Sequence, residues 1–144
     1  MNTIRYTARQ KGGKRIVYVF RKDRLMDIIK EKLQAYGQNQ DDDHLVDMLQ
    51  TLVSNRVYIP CFEDGEPDIL ADMDGNRFYP VFSSTEEALD EYTKVEWESI
   101  AFVDCLAYVV DAKNVHAIVV NPFTENVRIP KAITEGLHEQ FGRK

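Results

Sequence analysis

Three histidines and two cysteines carry most of the reactive chemistry available to this 144-residue chain, and their spacing decides what they can do. His44, His116 and His138 fall on three separate predicted elements, and neither an H-x-x-x-H nor a C-x-x-C pair occurs. A metal needs several ligands converging on one point, so this pattern predicts no metal centre. The run Asp72-Met73-Asp74-Gly75-Asn76 resembles the opening of a calcium loop. Such a loop needs glycine sixth and glutamate twelfth; counted from Asp72, Gly75 is fourth and Ser83 twelfth. Cys105 sits in an apolar stretch, where a thiol is inert. Cys61 adjoins the acidic run Glu63-Asp64-Gly65-Glu66-Pro67-Asp68, which raises a thiol's pKa and weakens it as a nucleophile. Gly12-Gly13 and the isolated glycines form neither a G-x-G-x-x-G nor a Walker-type phosphate loop. No catalytic constellation, cofactor site or metal site is expected, and the chain reads as a protein that is not an enzyme.

The remaining polar residues must be positioned by the stretch from Arg56 to Ser84, which holds two apolar runs around Asp74-Gly75. Asp-Gly suits a two-residue type I′ turn, because both central residues take positive φ. That turn predicts Met73 opposite Asn76, Asp72 opposite Arg77, Ala71 opposite Phe78 and Leu70 opposite Tyr79. Side chains alternate along a strand, so Ile69, Ala71, Met73, Phe78 and Phe82 would share the core face. Leu70, Asp72, Arg77 and Tyr79 would face outward, with Asp72 and Arg77 as a cross-strand ion pair. Val57 to Phe62 is a preceding strand, and Pro60 places it at an edge or ends it near the proline.

Helices flank this unit. Asp23 can cap a helix over residues 24–36, with Met26, Ile29, Leu33 and Tyr36 inward and Gly37 as its stop. Asp41, Asp42 and Asp43 open a second, striped by Leu45, Met48, Leu49 and Leu52. Ser84-Thr85-Glu86-Glu87 matches a capping box ahead of a short helix with Ala88, Leu89 and Tyr92 inward. Residues 99–111 read as a nearly all-apolar helix relieved by an Asp104/Tyr108/Asp111 strip. Val115 to Val120 is a central strand covered on both faces, and Val127 to Ile129 a short return strand. Pro130 then starts a closing helix carrying Ile133, Leu137 and Phe141, which Gly142 ends. Clustered helices and strands, without strict alternation, predict an α+β domain: a mixed or antiparallel sheet with helices packed on it.

Charge divides the chain. Residues 1–24 hold eight Lys/Arg against Asp23, a net +7, so the remainder carries −13 of the total −6. The division expected is a basic arm over residues 1–23, a hairpin by its alternation, and a domain over 24–144. The acidic body repels phosphates, so nucleic acid is an unfavoured partner, approachable only through the arm. No apolar run approaches the length of a membrane span, and the first residues lack a signal peptide's apolar core. With two distant cysteines expected to be reduced thiols, a cytoplasmic protein is predicted.

From Leu25 to about Phe141 the layout resembles the N-terminal domain family of SseB, the enhanced serine sensitivity protein. The resemblance lies in two helices leading to Arg-Val-Tyr-Ile-Pro (Arg56 to Pro60) and in the run Asp74 to Ser84, D-G-N-R-F-Y-P-V-F-S-S. A long apolar helix and a strand ending in Asn121-Pro122 complete it. The resemblance implies a bacterial α+β domain and brings no catalytic residues with it. Tyr58, Arg77, Tyr79, Asn121 and Phe123 are the candidate partner-binding residues, framing a shallow groove between the hairpin and the Asn121-Pro122-Phe123 turn. The function expected is a non-enzymatic protein-interaction or regulatory module, binding another protein or a second copy of itself. Its rivals are a small-molecule sensor and an RNA-binding accessory protein acting through the basic arm.

Overall fold

The structure, a computed structural model, describes residues 27–142. The basic arm and its expected hairpin lie outside the described residues. Helix α1 (Ile28–Gln38) begins at Asp27, whose carboxylate accepts the Lys30 amide at 3.0 Å. The cap is therefore Asp27 and not Asp23, and Gly37 lies within the helix, which ends at Asn39. Helix α2 (Asp42–Val53) is capped by Asp41, which accepts the His44 amide, and two further acids occupy its positive first turn.

Strand β1 (Arg56–Cys61) follows, then β2 (Leu70–Ala71), β3 (Arg77–Val81) and a 3-10 turn over Thr85–Ala88. Strand β4 (Glu96–Ala101) runs directly into helix α3 (Phe102–Asp111); β5 (Ala117–Val120), β6 (Val127–Pro130) and helix α4 (Lys131–Phe141) complete the described chain. β1 and β4 form an antiparallel ribbon, while β2, β3, β5 and β6 form a four-stranded sheet in that order, parallel only between β3 and β5. Reciprocal Tyr58–Phe82 backbone bonds of 2.8 and 2.9 Å join ribbon to sheet. This mixed arrangement of helices and sheets is the α+β fold that the sequence predicts.

One core takes the inward stripe of each of the first three helices: Ile29 and Leu33, Met48 and Leu52, Phe102, Cys105, Leu106 and Val109. Alternate strand residues meet them, namely Val57, Ile59, Tyr79, Val81, Ile118, Val120 and Ile129. The opposite sheet face has its own apolar layer. Phe78, Ala117 and Val119 form one part of it, and Phe82 sits among Tyr92, Trp97 and Phe123 at ring distances of 5.2–6.1 Å. β5 is buried along its whole length between these layers, as its unbroken apolar run requires.

The hairpin differs from its expected register by one residue. Leu70 pairs with Phe78 and Ala71 with Arg77, leaving a five-residue loop from Asp72 to Asn76. Asp72 organises that loop: its Oδ1 accepts the amides of Asp74 and Asn76 at 3.0 and 2.9 Å, and Gly75 takes φ +86°. An aspartate that folds its own loop is unavailable as a strand residue, and no Asp72–Arg77 pair forms among the described contacts. The slip exchanges faces. Tyr79 enters the helix-covered core, Phe78 turns to the other layer, Ala71 is exposed, and Met73 is fully exposed at the loop tip.

Residues 99–101 are strand rather than helix. All six residues of Glu96–Ala101 pair with β1, so long-range pairing overrides the helical apolar pattern up to Phe102. The Ser84 side chain makes no capping bond, and Glu87 reaches Lys30 and Thr124 instead of closing a box. Leu89, at φ +55°, is exposed. Pro60 fits in β1 because its missing N–H faces away from β4, on the side where its carbonyl accepts the Asp68 amide.

Candidate functional site

Between the hairpin and the turn after β5 lies an open hollow of about 170 Å³. Its floor is Phe78 and Val119, and Leu70, Ala71 and Asp72 line it from the hairpin side. Pro122, Phe123 and Asn126 line it from the turn, and Arg128 of β6 completes it. The Arg128 guanidinium lies 4.3 Å from the Phe78 ring centre, a cation–π arrangement that fixes a half-exposed side chain over the apolar floor. Its nearest carboxylate oxygen, Asp72 Oδ2, is 3.7 Å away. Hydrogen bonds from Asn76 first, then the Asp74 amide and this charge, hold the Asp72 carboxyl below its ordinary pKa, so the hollow presents one fixed cation and one fixed anion.

The turn wall is braced from beneath. Asn121 is fully buried at φ +50°, a conformation asparagine tolerates better than most residues. Its Oδ1 accepts the Ser83 amide at 2.9 Å, and its Nδ2 donates to Ser83 Oγ at 2.9 Å and Glu125 Oε1 at 3.0 Å. Ser83 Oγ in turn donates to Asp27, the α1 cap. The Lys30 ammonium bonds Glu87 and Glu125, each at 2.7 Å, and Gln34 and Thr124 add further donors. Burial alone would raise the Glu125 pKa; bonds from Lys30, Gln34 and Asn121 outweigh it and hold the carboxyl below its ordinary value. Lys30 is the counterpart: burial lowers it, and its two carboxylates more than restore it. α1, the segment after β3 and the turn 121–126 are thus locked together.

Of the five candidate residues, only Phe123 lines the hollow. Asn121 supports it from inside. Tyr79 is buried in the helix-covered core, its ring 5.0 Å from that of Tyr108, because of the register slip. Tyr58 is half-buried in β1, and Arg77 is exposed at the hairpin's base with its amide bonded to His116 Nδ1. The five therefore do not share one surface. Leu70, Asp72, Asn126 and Arg128 were missed. Two asparagines five residues apart around Pro-Phe-Thr-Glu are the signal in the sequence that marks the turn, and both take positive φ.

The other reactive groups are placed elsewhere. His44 bonds Asp41 at 2.6 Å beside the α2 cap, and His138 lies in α4. Burial raises the Cys61 thiol, helped by Glu98, 3.7 Å from its Sγ; burial pushes Cys105 up to about 12. Both are free thiols.

No described helix is long and apolar enough to cross a membrane. No curated protein and no solved structure matches the chain. The family model described as SseB protein N-terminal domain matches residues 29–132, from the first turn of α1 to the first turn of α4. That span holds the helix pair short of the Asp27 cap, the hairpin, both sheets and the braced turn, and the chain belongs to the SseB N-terminal domain family.

Proposed function

We propose that this domain is a protein-interaction module that binds without catalysing, working in the bacterial cytoplasm, and that its partner docks on the hollow. The observation that carries this reading is the scale and make-up of the hollow. At about 170 Å³ and open to solvent, it falls short of the roughly 300–1,000 Å³ that encloses a small molecule. It offers instead an apolar floor, Phe123 at its side and an arginine held over Phe78, the residue types that anchor protein partners. The braced turn means that little ordering cost falls on binding.

The test is affinity purification with mass spectrometry from the source cell, comparing wild type with Arg128→Glu in the hollow and Lys113→Glu away from it. A partner retained by wild type and Lys113→Glu but lost with Arg128→Glu supports the reading. A partner set unchanged by Arg128→Glu, or no stoichiometric partner at all, overturns it.

A further inference from the structure

A second surface, independent of the hollow, follows from hydrogen-bond alternation in the β1–β4 ribbon. In an antiparallel pair, successive residues turn their N–H and C=O alternately toward and away from the neighbour. Tyr58 spends both on Phe82, and the Pro60 carbonyl accepts the Asp68 amide, on the side of β1 away from β4. Their partners Ser99 and Trp97 are therefore non-hydrogen-bonded pairs whose backbone groups also point away from β1, outward. Among the described residues β4 has no neighbour on that side. The Ser99 carbonyl is taken by the Arg56 guanidinium at 2.8 Å. This leaves the N–H and C=O of Trp97 and the N–H of Ser99 as an open edge.

Apart from the Arg56 guanidinium on Ser99, the charges around this edge are negative with few exceptions. Glu96 and Glu98 are exposed on β4 itself. From Val57 to Asn76 the chain has six carboxylates and no Lys or Arg; from Phe78 to Ala112 it has eight carboxylates and one, Lys94. Over residues 27–142, eight Lys/Arg stand against 23 Asp/Glu, a formal −15. Exposed carboxylates protect an edge from pairing with another acidic strand, including the same edge of a second copy. They favour a strand that brings cations.

We propose that the outer edge of β4 accepts an extended, Lys/Arg-bearing segment of a partner protein as an added strand. Trp97 exchanges two main-chain bonds with it and Ser99 supplies a third, while Glu96 and Glu98 select for positive side chains. The backbone bonds set the register and the carboxylates the specificity.

Amide exchange of the full chain, read by NMR at Trp97 and Ser99, tests this with a capped seven-residue peptide of alternating lysine and valine. Saturating peptide should slow both amides about tenfold or more, with affinity falling about tenfold between roughly 50 and 500 mM salt. The same peptide with glutamate for lysine should leave both rates unchanged. Ser99→Pro removes an outward N–H and sets a ring in the path of the added strand, so it should weaken binding about tenfold, with no more loss of stability than its one exposed hydroxyl bond from Arg56 contributes. Glu96→Lys, a milder surface change, should weaken the lysine peptide and admit the glutamate one. Unchanged exchange on adding the lysine peptide, or equal binding by both variants, overturns the proposal. So do Trp97 and Ser99 amides already slow in the free chain, which would mean that the chain fills this edge itself.

Discussion

Replacing Asn121 by alanine tests whether the turn is held by the buried amide. The side chain makes three hydrogen bonds, and its loss strands the Ser83 amide, which it alone accepts among the described contacts. At a net of about 1 kcal/mol each, the three bonds contribute about 3 kcal/mol. Alanine at φ +50° adds a fraction of the αL penalty, up to about 1 kcal/mol, because it lacks asparagine's local bonding. The expected loss is about 3–4 kcal/mol. With a urea dependence of about 2 kcal/mol per molar for a chain of this size, the midpoint should fall by about 1.5–2 M.

The assay is fluorescence of Trp97, the only tryptophan, whose ring meets Phe82 edge-on at 5.2 Å and reports on the joint between ribbon and sheet. Asn121→Gly separates the two contributions. It loses the same hydrogen bonds but accepts the positive φ, so it should be more stable than Asn121→Ala by about 0.5–1 kcal/mol. A midpoint for Asn121→Ala within about 0.3 M of wild type would refute the bracing argument, since three buried bonds cannot be lost at so small a cost. A glycine variant no more stable than the alanine one would refute the backbone part alone.

Gly75→Val should lower stability by about 1–3 kcal/mol in the same assay, because its φ of +86° strains a β-branched residue although a Cβ there meets no neighbour. The depressed Glu125 carboxyl should make stability fall on the acid side: its contribution is full above about pH 4.5, the ordinary value, and is lost as pH drops through the lower folded value. Glu125→Gln should flatten that fall in pH-dependent urea titrations without abolishing it, since Asp41 and Asp72 are depressed too; an identical pH profile would count against the network. Cys105, with its thiol near 12 and its side chain buried, should resist iodoacetamide at pH 8 in the native state and react readily in urea, and rapid native alkylation would contradict its burial.

The helix pair, β5, β6 and α4 were legible because local periodicity and burial agree there. Asp41 caps α2, the apolar run at Val115 to Val120 holds the doubly covered strand, though only from Ala117 on, and Pro130 opens α4. β4 was not legible. Its residues Ser99, Ile100 and Ala101 continue the apolar pattern of α3, and the fact that decides their state is a partner strand about forty residues earlier. A local window contains no record of that partner, so the helix appears longer than it is.

The site was legible as two regions but not as residues, and one cause accounts for most of the difference. The hairpin and the Asn121 turn do meet, and Phe123 faces the hollow they form. A strand's side-chain period is two, so the one-residue register slip reverses every face of β3 at once. It sends Tyr79 inward, brings Phe78 under Arg128, and frees Asp72 to fold its loop and approach the same arginine. What fixes the slip is the aspartate's affinity for its own loop amides, which outcompetes the two-residue Asp-Gly turn. The brace lay further from reach. Lys30 and Glu125 are 95 residues apart, Ser83 and Asn121 are 38, and each alone resembles an ordinary surface or turn residue. Only the pairing of ribbon to sheet through Tyr58 and Phe82, one residue before Ser83, sets these segments side by side, and with that pairing the network closes.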